Sequence, residues 1–389
     1  MKALCWNGVN DLRVETVPEP KIVNPGDALV RVRLSSVCGS DLHLLGGTIP
    51  TMRQGDIIGH EFLGEIVETG SGVETLKKGD RVIAVSIIGC GRCWFCEHAM
   101  WSLCDNSNPN RQPQETLYGK VTAGIFGYSH AFGGYPGSHA EYVRVPYADH
   151  TAFKVPDDIP DEKAVFVSDA APTGFYAADL CGIRPGDVVA VWGCGGVGQM
   201  AIRSAYLLGA KCVIAIDRLP DRLIKAKERA GAEVLNYEET SVLDALDEMT
   251  GGRGPDACID AVGMEADATG IEEVYDRTRQ ALRLSSERAP VLRQAFMACR
   301  KGGTVSIIGV YGGLVDKFPI GVAMNKGLCL RMGQQPGQNY VERLFGHIRR
   351  GELDPSYLLT HCLPLDAGPQ GYALFKNKQD NCLRTVFAP

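Results

Sequence analysis

The stretch Val188–Trp192 is an unbroken apolar run that stops at Gly193-Cys194-Gly195-Gly196-Val197-Gly198. A five-residue apolar run closed by glycines suits a strand buried on both faces of a sheet. A helical pattern to Leu208 follows, then a second apolar run, Cys212–Ile216. Strand, glycine turn, helix and returning strand make a βαβ unit, which a sheet accommodates in only one handedness. Three further runs, Ala257–Ala261, Thr304–Gly309 and Gly327–Met332, continue the rhythm. The expectation for residues 171–333 is an α/β domain with a Rossmann doubly wound parallel sheet.

The glycine turn also carries chemistry. A G-x-G-x-x-G pattern is weak in a chain with 46 glycines. Its position between a strand and a helix sharpens it. Gly193 allows the tight turn, Gly195 lets the backbone approach a pyrophosphate, and Gly198 permits close helix–strand packing. The helix start at Gly196 and Val197 turns N–H groups and a partial positive charge toward phosphate. Asp217 closes the next strand and can accept hydrogen bonds from both hydroxyls of an adenosine ribose. It would repel a 2′-phosphate, which favours NAD over NADP. Arg218, with Arg222 near it, is the feature that a 2′-phosphate would use.

Residues before about 160 read differently. Short alternating runs, Ala28–Leu34, Gly64–Thr69 and Arg81–Val85, are separated by Pro-Gly, Gly-Ser-Gly and Lys-Gly-Asp turns, the pattern of antiparallel β structure. The tail after Gly333 returns to short mixed elements. Two domains follow, which 389 residues accommodate. A mostly-β domain covers 1–170 and 334–389, and the α/β domain covers 171–333. The charged stretch 264–290 interrupts the βαβ rhythm and reads as an insertion.

A net charge of −6 and a pI near 5.8 disfavour nucleic acid and anionic membrane as partners. Every apolar run is broken by charge or glycine, and Met1-Lys2-Ala3-Leu4-Cys5 lacks the apolar core of a signal peptide. A soluble cytoplasmic protein is expected. Most of the 14 cysteines fit that setting as small buried hydrophobes, among them Cys212, Cys258, Cys299 and Cys329.

Four cysteines differ. Cys90, Cys93, Cys96 and Cys104 follow C-x2-C-x2-C-x7-C, a spacing that lets four thiolates surround one tetrahedral zinc. Such a site has no open position, so it is structural and clips a lobe over residues 89–105. An iron–sulfur cluster would use other spacing, and the acidic neighbours Glu97 and Asp105 disfavour a nucleic-acid zinc ribbon. A reactive zinc needs three protein ligands and one open position. Cys38-Gly39-Ser40-Asp41-Leu42-His43 and Gly59-His60-Glu61 supply candidates: Cys38 and His60 as ligands, Ser40 and His43 as a proton relay.

The series V-C-G-S-D-L-H, G-H-E-F-L-G-E-I-V, the four-cysteine lobe, H-A-E-Y-V-R-V-P and G-C-G-G-V-G resembles the zinc-containing medium-chain alcohol dehydrogenases. The motifs run in that family's order to Leu383-Arg384-Thr385-Val386. V-S-D-A-A-P-T-G and the inserted segment resemble the branch of glutathione-independent formaldehyde dehydrogenases and aldehyde dismutases. The resemblance implies a GroES-like fold for the mostly-β domain and two zinc ions per chain.

It also implies site roles. Many members have a cysteine as third ligand where this chain has Asp169, and in the formaldehyde-dehydrogenase branch an aspartate serves. The catalytic set is then Cys38, His60 and Asp169, with Glu61 as rival ligand. A proton would leave through Ser40, a ribose hydroxyl of NAD, and His43. Thr173 would lie against the nicotinamide, backbone around Val262 and Gly309–Tyr311 would hold its carboxamide, and Arg384 would contact the pyrophosphate. The insertion would cover the adenine side and slow release of NAD, permitting aldehyde dismutation.

The expected reaction is hydride transfer between NAD and a small alcohol or hydrated aldehyde. The alternatives are an NADPH-dependent zinc reductase acting on a larger iminium or enal, and a non-catalytic nucleotide-binding protein. The aromatic stretch Trp101–Pro136 lines the cleft or packs the lobe, and His139 alters pocket polarity relative to relatives. A homo-oligomer is expected, a tetramer before a dimer, with the strand near Val305–Val310 as a pairing edge.

Overall fold

The computed structural model describes residues 1–265, 290–313, 315 and 317–389. The expected insertion 264–290 therefore lies almost wholly outside the described residues. The chain forms two compact units, Met1–Pro172 with Gln335–Pro389, and Thr173–Gln334. Among the described residues no helix is long and apolar enough to cross a membrane.

The first unit is built on a seven-stranded sheet. Along it run Ala152–Lys154, Arg81–Ala84, Glu61–Thr69, Ala28–Ser36, Arg384–Ala388 and Leu359–Pro364, with Tyr142–Val145 also pairing with Ala28–Ser36. Its apolar face packs Val30, Val32, Phe62, Ile66, Val82, Ala84 and Phe126 into one core. Two strands exceed the lengths read from alternation. Ala28 continues to Ser36, and the strand ending at Thr69 begins at Glu61, because Ser35 pairs with Phe62 and Ser36 with Glu61. The extra pairs involve Ser35, Ser36 and Glu61, polar residues that are nonetheless buried, so hydrophobic alternation does not show them. They carry the chain into Cys38 on one side and out of His60 on the other. The last strand completes the arrangement: Val386 pairs with Ser36, and the Val37 N–H donates to the Thr385 carbonyl at 2.9 Å.

The second unit is a six-stranded parallel sheet in the order Glu233–Asn236, Cys212–Asp217, Val188–Trp192, Ala257–Asp260, Thr304–Ile307, Cys329–Met332. Val189, Val191, Val213, Ala215 and Ile259 belong to one core, and Ala190, Trp192, Ile214, Ile216 and Cys258 to another. Both faces are thus covered, as the continuous apolar runs require. Glu233–Asn236 has no apolar run to announce it; it lies at one edge, exposed or half-buried along its length.

The other edge corrects two expectations. Thr304–Ile307 pairs on both sides, with Ala257–Asp260 and Cys329–Met332, so it is not a pairing edge. The edge strand is Cys329–Met332, and Cys329 on it is exposed rather than a buried hydrophobe. An edge strand has one unpaired side, so its residues need not be small or apolar.

The turn after Val188–Trp192 depends on two glycines. Gly193 has φ +90°, and a Cβ there would lie 2.6 Å from a methyl of Val262. At Gly198 a Cβ would stand 1.8 Å from the Gly193 carbonyl oxygen. Backbone must move to admit it, at about 2–4 kcal/mol by comparison with other overpacked sites. Gly198→Ala is expected to lower the unfolding midpoint by about 5–10 °C, read by calorimetry. An unchanged midpoint would mean that the loop yields freely.

Candidate functional site

In the first unit, Cys38, His60, Glu61 and Asp169 bring one ligand atom each within 4.8 Å of all the others, and all four residues are buried. Cys38 precedes the helix Gly39–Leu45, His60 and Glu61 come from the start of their strand, and Asp169 follows the short helical turn Val165–Ser168. Cys38 Sγ is 3.8 Å from Asp169 Oδ2, and His60 Nε2 is 3.7 Å from the same oxygen. A tetrahedral zinc with ordinary bond lengths would separate such S/O and N/O pairs by about 3.4–3.6 Å. The donor set fits zinc.

Each donor is aimed by a neighbour. Asp41 is fully buried; its Oδ2 accepts the Cys38 N–H at 2.9 Å, and its Oδ1 lies 3.1 Å from His60 Nδ1. That carboxylate turns His60 Nε2 toward the ligand cluster, the usual arrangement behind a metal-binding histidine. Asp169 Oδ1 accepts from Ser86 Oγ at 2.7 Å and from Gln335 Nε2 at 3.1 Å, which leaves Oδ2 for the cluster. Gln335 Nε2 also reaches Ser86 Oγ at 3.0 Å. The motifs alone did not reveal the parts played by Asp41, Ser86 and Gln335. Asp41 was discoverable from the rule that ligating histidines take a carboxylate partner. Ser86 and Gln335 carry no local signal.

The electrostatics follow from burial. Glu61 is pushed well above the usual carboxylate range by burial, against the pull of Arg384 and in concert with Cys38 and Asp169. Cys38 is pushed up by burial, yet Arg384 and His60 outweigh this and bring it down to about 7. Burial would lower His60, but Asp41 raises it well above the ordinary value. A divalent cation among these groups would favour thiolate, carboxylate and neutral imidazole together.

Of the expected relay pair, Ser40 Oγ lies 3.2 Å from His60 Nε2. His43 is 6% exposed, and burial pushes it down to about 4. Arg384 is buried in this unit. Its Nη1 donates to the Val37 carbonyl, and its Nη2 is 3.2 Å from Glu61 Oε1. The aromatic stretch divides: Phe126 packs edge-on against Phe62 at 5.4 Å and Tyr135 donates to the Ser107 carbonyl, both in the body of the unit. Tyr128 is buried with its ring 6.4 Å from that of His60.

The second cluster is Cys90, Cys93, Cys96 and Cys104, all buried and mutually within 4.8 Å. Cys90–Cys96 and Cys93–Cys104 sulfurs are 3.9 Å apart, close to the roughly 3.8 Å edge of a tetrahedral ZnS4 site. Asn106 completes it, its backbone N–H donating to Cys104 Sγ at 3.4 Å and its side-chain amide to Cys90 Sγ at 3.2 Å. No spacing rule marks Asn106.

In the second unit, Gly195 caps the helix Gly196–Leu207. The loop is pinned by Gln199, whose amide donates to the Cys194 and Arg222 carbonyls at 3.1 and 3.0 Å. Asp217 Oδ2 accepts the Cys194 N–H at 2.7 Å, and Oδ1 accepts those of Arg218 and Leu219 at 2.7 and 3.0 Å. Arg218 Nη1 is 3.5 Å from Glu238 Oε1. Asp260 organises the next loop: its Oδ1 accepts from the Val262 and Gly263 N–H groups, its Oδ2 accepts from the Tyr311 hydroxyl at 2.8 Å, and its carbonyl accepts from Gly309 N–H. Thr173 is half-buried on the helix Ala170–Asp179.

Comparison with known proteins agrees with this chemistry. Residues 24–157 match the alcohol dehydrogenase GroES-like domain, and residues 196–284 match the zinc-binding dehydrogenase family. The chain is 42% identical over 392 residues to a zinc-type alcohol dehydrogenase-like protein of Bacillus subtilis strain 168, covering 100% of both. It is 33% identical to the formaldehyde dismutase of Pseudomonas putida, over 96% of this chain and 94% of that one. Among solved structures, an alcohol dehydrogenase from Thermus sp. ATN1 superposes with a TM-score of 0.83 at 33% identity, covering 100% of this chain and 99% of that one.

Two outcomes follow from the geometry. Ser86→Ala combined with Gln335→Leu should weaken zinc retention at the Cys38 cluster by about tenfold or more, measured by chelator competition, and leave the four-cysteine zinc in place. Cys96→Ser should remove the other zinc and lower the unfolding midpoint by about 10 °C or more. A midpoint matching the parent would show that the lobe needs no metal.

Proposed function

Since the chain belongs to the zinc-type alcohol dehydrogenase family, we propose that it is an NAD-linked dehydrogenase of small alcohols or hydrated aldehydes, with Cys38, His60 and Asp169 as ligands of its catalytic zinc. The convergence of those three donor atoms beside Glu61 carries the proposal. When bound, zinc supplies a Lewis acid that polarises the substrate oxygen, and NAD accepts the hydride.

The protein's own residues orient these groups and move a proton. Ser86 and Gln335 keep Asp169 single-toothed toward the metal, and Asp41 holds His60. Ser40, at 3.2 Å from His60 Nε2, is placed to take the substrate's hydroxyl proton. His43, kept neutral by burial, can accept it further on. Glu61 is paired with Arg384, which favours a supporting carboxylate over a resting ligand. The cytoplasm, an aqueous small-molecule substrate and a homo-oligomeric assembly, tetrameric before dimeric, remain part of this reading.

The preference for NAD rests on Asp217, whose oxygens accept three backbone N–H groups beside the glycine loop and whose negative charge would repel a 2′-phosphate. Arg222 supports the NADPH reading instead: its Nη1 is 3.6 Å from where a Gly195 Cβ would be, and its Nε has no hydrogen-bond partner among the described residues. The substrate class draws on the aspartate ligand and on the formaldehyde dismutase relative.

Metal content and bound nucleotide, measured on undialysed wild type and Asp169→Ala, test the proposal. The expected result is two zincs per chain in wild type and one in the variant, with activity lost. Two zincs in both would remove Asp169 from the ligand set and promote Glu61. NAD released only on denaturation would support dismutation with retained cofactor. In steady state, kcat/KM should favour NAD over NADP by about 100-fold or more, as a charge clash of roughly 3 kcal/mol gives. The reverse preference would establish the reductase reading.

A further inference from the structure

Behind the metal cluster of the first unit runs a line of buried polar groups that the proposed reaction does not use. Ser138 Oγ is 2.8 Å from Ser35 Oγ, Ser35 Oγ is 2.7 Å from His139 Nδ1, and His139 Nε2 is 3.0 Å from the Tyr372 hydroxyl. That hydroxyl faces the Asp41 carboxylate, whose Oδ1 is 3.1 Å from His60 Nδ1. No member of the line from Ser138 to Asp41 is more than 1% exposed. The groups come from separate elements, including the strand Ala28–Ser36 and the helix Gly368–Lys376.

His139 is held hard in this position. Its N–H donates to the Ile58 carbonyl at 3.0 Å, and its carbonyl accepts the Leu4 N–H at 2.8 Å. Its ring packs edge-on against Phe387 at 5.0 Å. On the other side it fills the space that a side chain at residue 59 would take: Gly59 has φ +96°, and a Cβ there would lie 2.6 Å from the ring. In such surroundings an apolar ring would pack as well. An imidazole carries a desolvation cost unless both nitrogens are satisfied.

Hydrogen-bond inventory gives the line a direction. A phenol has one proton. Donated to the Asp41 carboxylate, it leaves the Tyr372 oxygen to accept from His139 Nε2–H. His139 Nδ1 is then bare and accepts from Ser35, whose oxygen accepts from Ser138. This sequence needs a neutral His139. Burial pushes that ring down to about 4, with Asp41 opposing and His60 reinforcing. Every proton in the line therefore points toward Asp41. With the Cys38 N–H also donating to it, Asp41 faces His60 Nδ1 across 3.1 Å, and His60 Nε2 is directed to the side of Asp169.

We propose that Tyr372 and His139 are positioning residues for the catalytic metal, and that the line Ser138–Ser35–His139–Tyr372–Asp41 locks His60 in the tautomer and ring orientation that bind zinc. The proposal rests on reading Cys38, His60 and Asp169 as a zinc site. It extends the support of the ligand four residues beyond its carboxylate, through groups whose connection to the site is visible only in three dimensions.

The test uses the full-length, zinc-loaded protein as wild type, Tyr372→Phe, His139→Phe and His139→Gln. Zinc transfer to a colorimetric chelator is followed over time, and the visible spectrum is recorded after cobalt exchange at the Cys38 cluster. Wild type should release two zincs in separable phases. Tyr372→Phe and His139→Phe should speed release from the Cys38 cluster by about 10- to 100-fold and shift the cobalt–thiolate absorption. The four-cysteine phase should stay as in wild type, which also reports an intact fold. His139→Gln keeps an N–H donor and a carbonyl acceptor, so it should move both readouts back toward wild type.

Tyr372→Phe removes one hydroxyl and preserves the ring, so it remains informative if His139→Phe fails to fold. Wild-type release and an unshifted spectrum in Tyr372→Phe would overturn the proposal. Failure of His139→Gln to recover either readout would reduce His139 to packing and overturn its part. A wild type holding zinc only at the four cysteines would instead defeat the underlying metal-centre reading.

Discussion

Buried negative charge is the constraint around which the first unit is arranged. Cys38, Glu61, Asp169 and Asp41 are all buried, and the Arg384 guanidinium and the His60 imidazole face them. Isolated ions are not left in such surroundings; they are neutralised, paired or bound to metal. The upward push on Glu61 and the contest over Cys38 express a site that a divalent cation would balance. Ligand direction then becomes the main structural task. Asp41 turns His60, the Ser86–Gln335 pair turns Asp169, and Arg384 draws Glu61 aside. These partners come from distant stretches of chain, so the antiparallel sheet that joins Ala28–Ser36 to Glu61–Thr69 and Arg384–Ala388 is what makes the centre possible.

The four-cysteine lobe solves a different problem with the same element. Its sulfurs lie at tetrahedral spacing, and Asn106 donates two hydrogen bonds to them. Four thiolates saturate zinc, so nothing remains for a substrate. Metal binding here is folding free energy for a segment that contributes few large apolar side chains to the core. One unit thus holds an inert zinc site and one capable of chemistry, separated by a single physical difference, the open coordination position.

Nucleotide recognition in the second unit uses backbone more than side chain. Gly193 and Gly198 are required by contacts at 2.6 and 1.8 Å that a Cβ would make, whereas a Cβ at Gly195 would meet only Arg222 Nη1, at 3.6 Å. Asp217 and Asp260 serve as internal braces, each collecting N–H groups from the loop beside it. Asp217 is therefore an acceptor both for the glycine loop and for the turn that follows its own strand. Such double duty explains why a loop built from small residues keeps one conformation.

Much of this was legible in the residues themselves. Apolar runs marked the parallel strands, because a strand buried on both faces must be apolar throughout. Glycine spacing marked the turn into the helix Gly196–Leu207, because only glycine tolerates those contacts, and cysteine spacing marked the four-cysteine cluster, because its members are close in sequence. Cys38, His60 and Asp169 emerged only as local motifs strengthened by resemblance, since 131 residues separate the first from the last. Tertiary structure alone decided the rest. It moved the open sheet edge from Thr304–Ile307 to Cys329–Met332, chose Ser86 and Gln335 as supports of Asp169, and set Tyr372 and His139 behind Asp41. The physical reason is common to all of these. Hydrogen bonds between buried side chains depend on where strands and helices are brought together, and they leave no period or spacing along the chain.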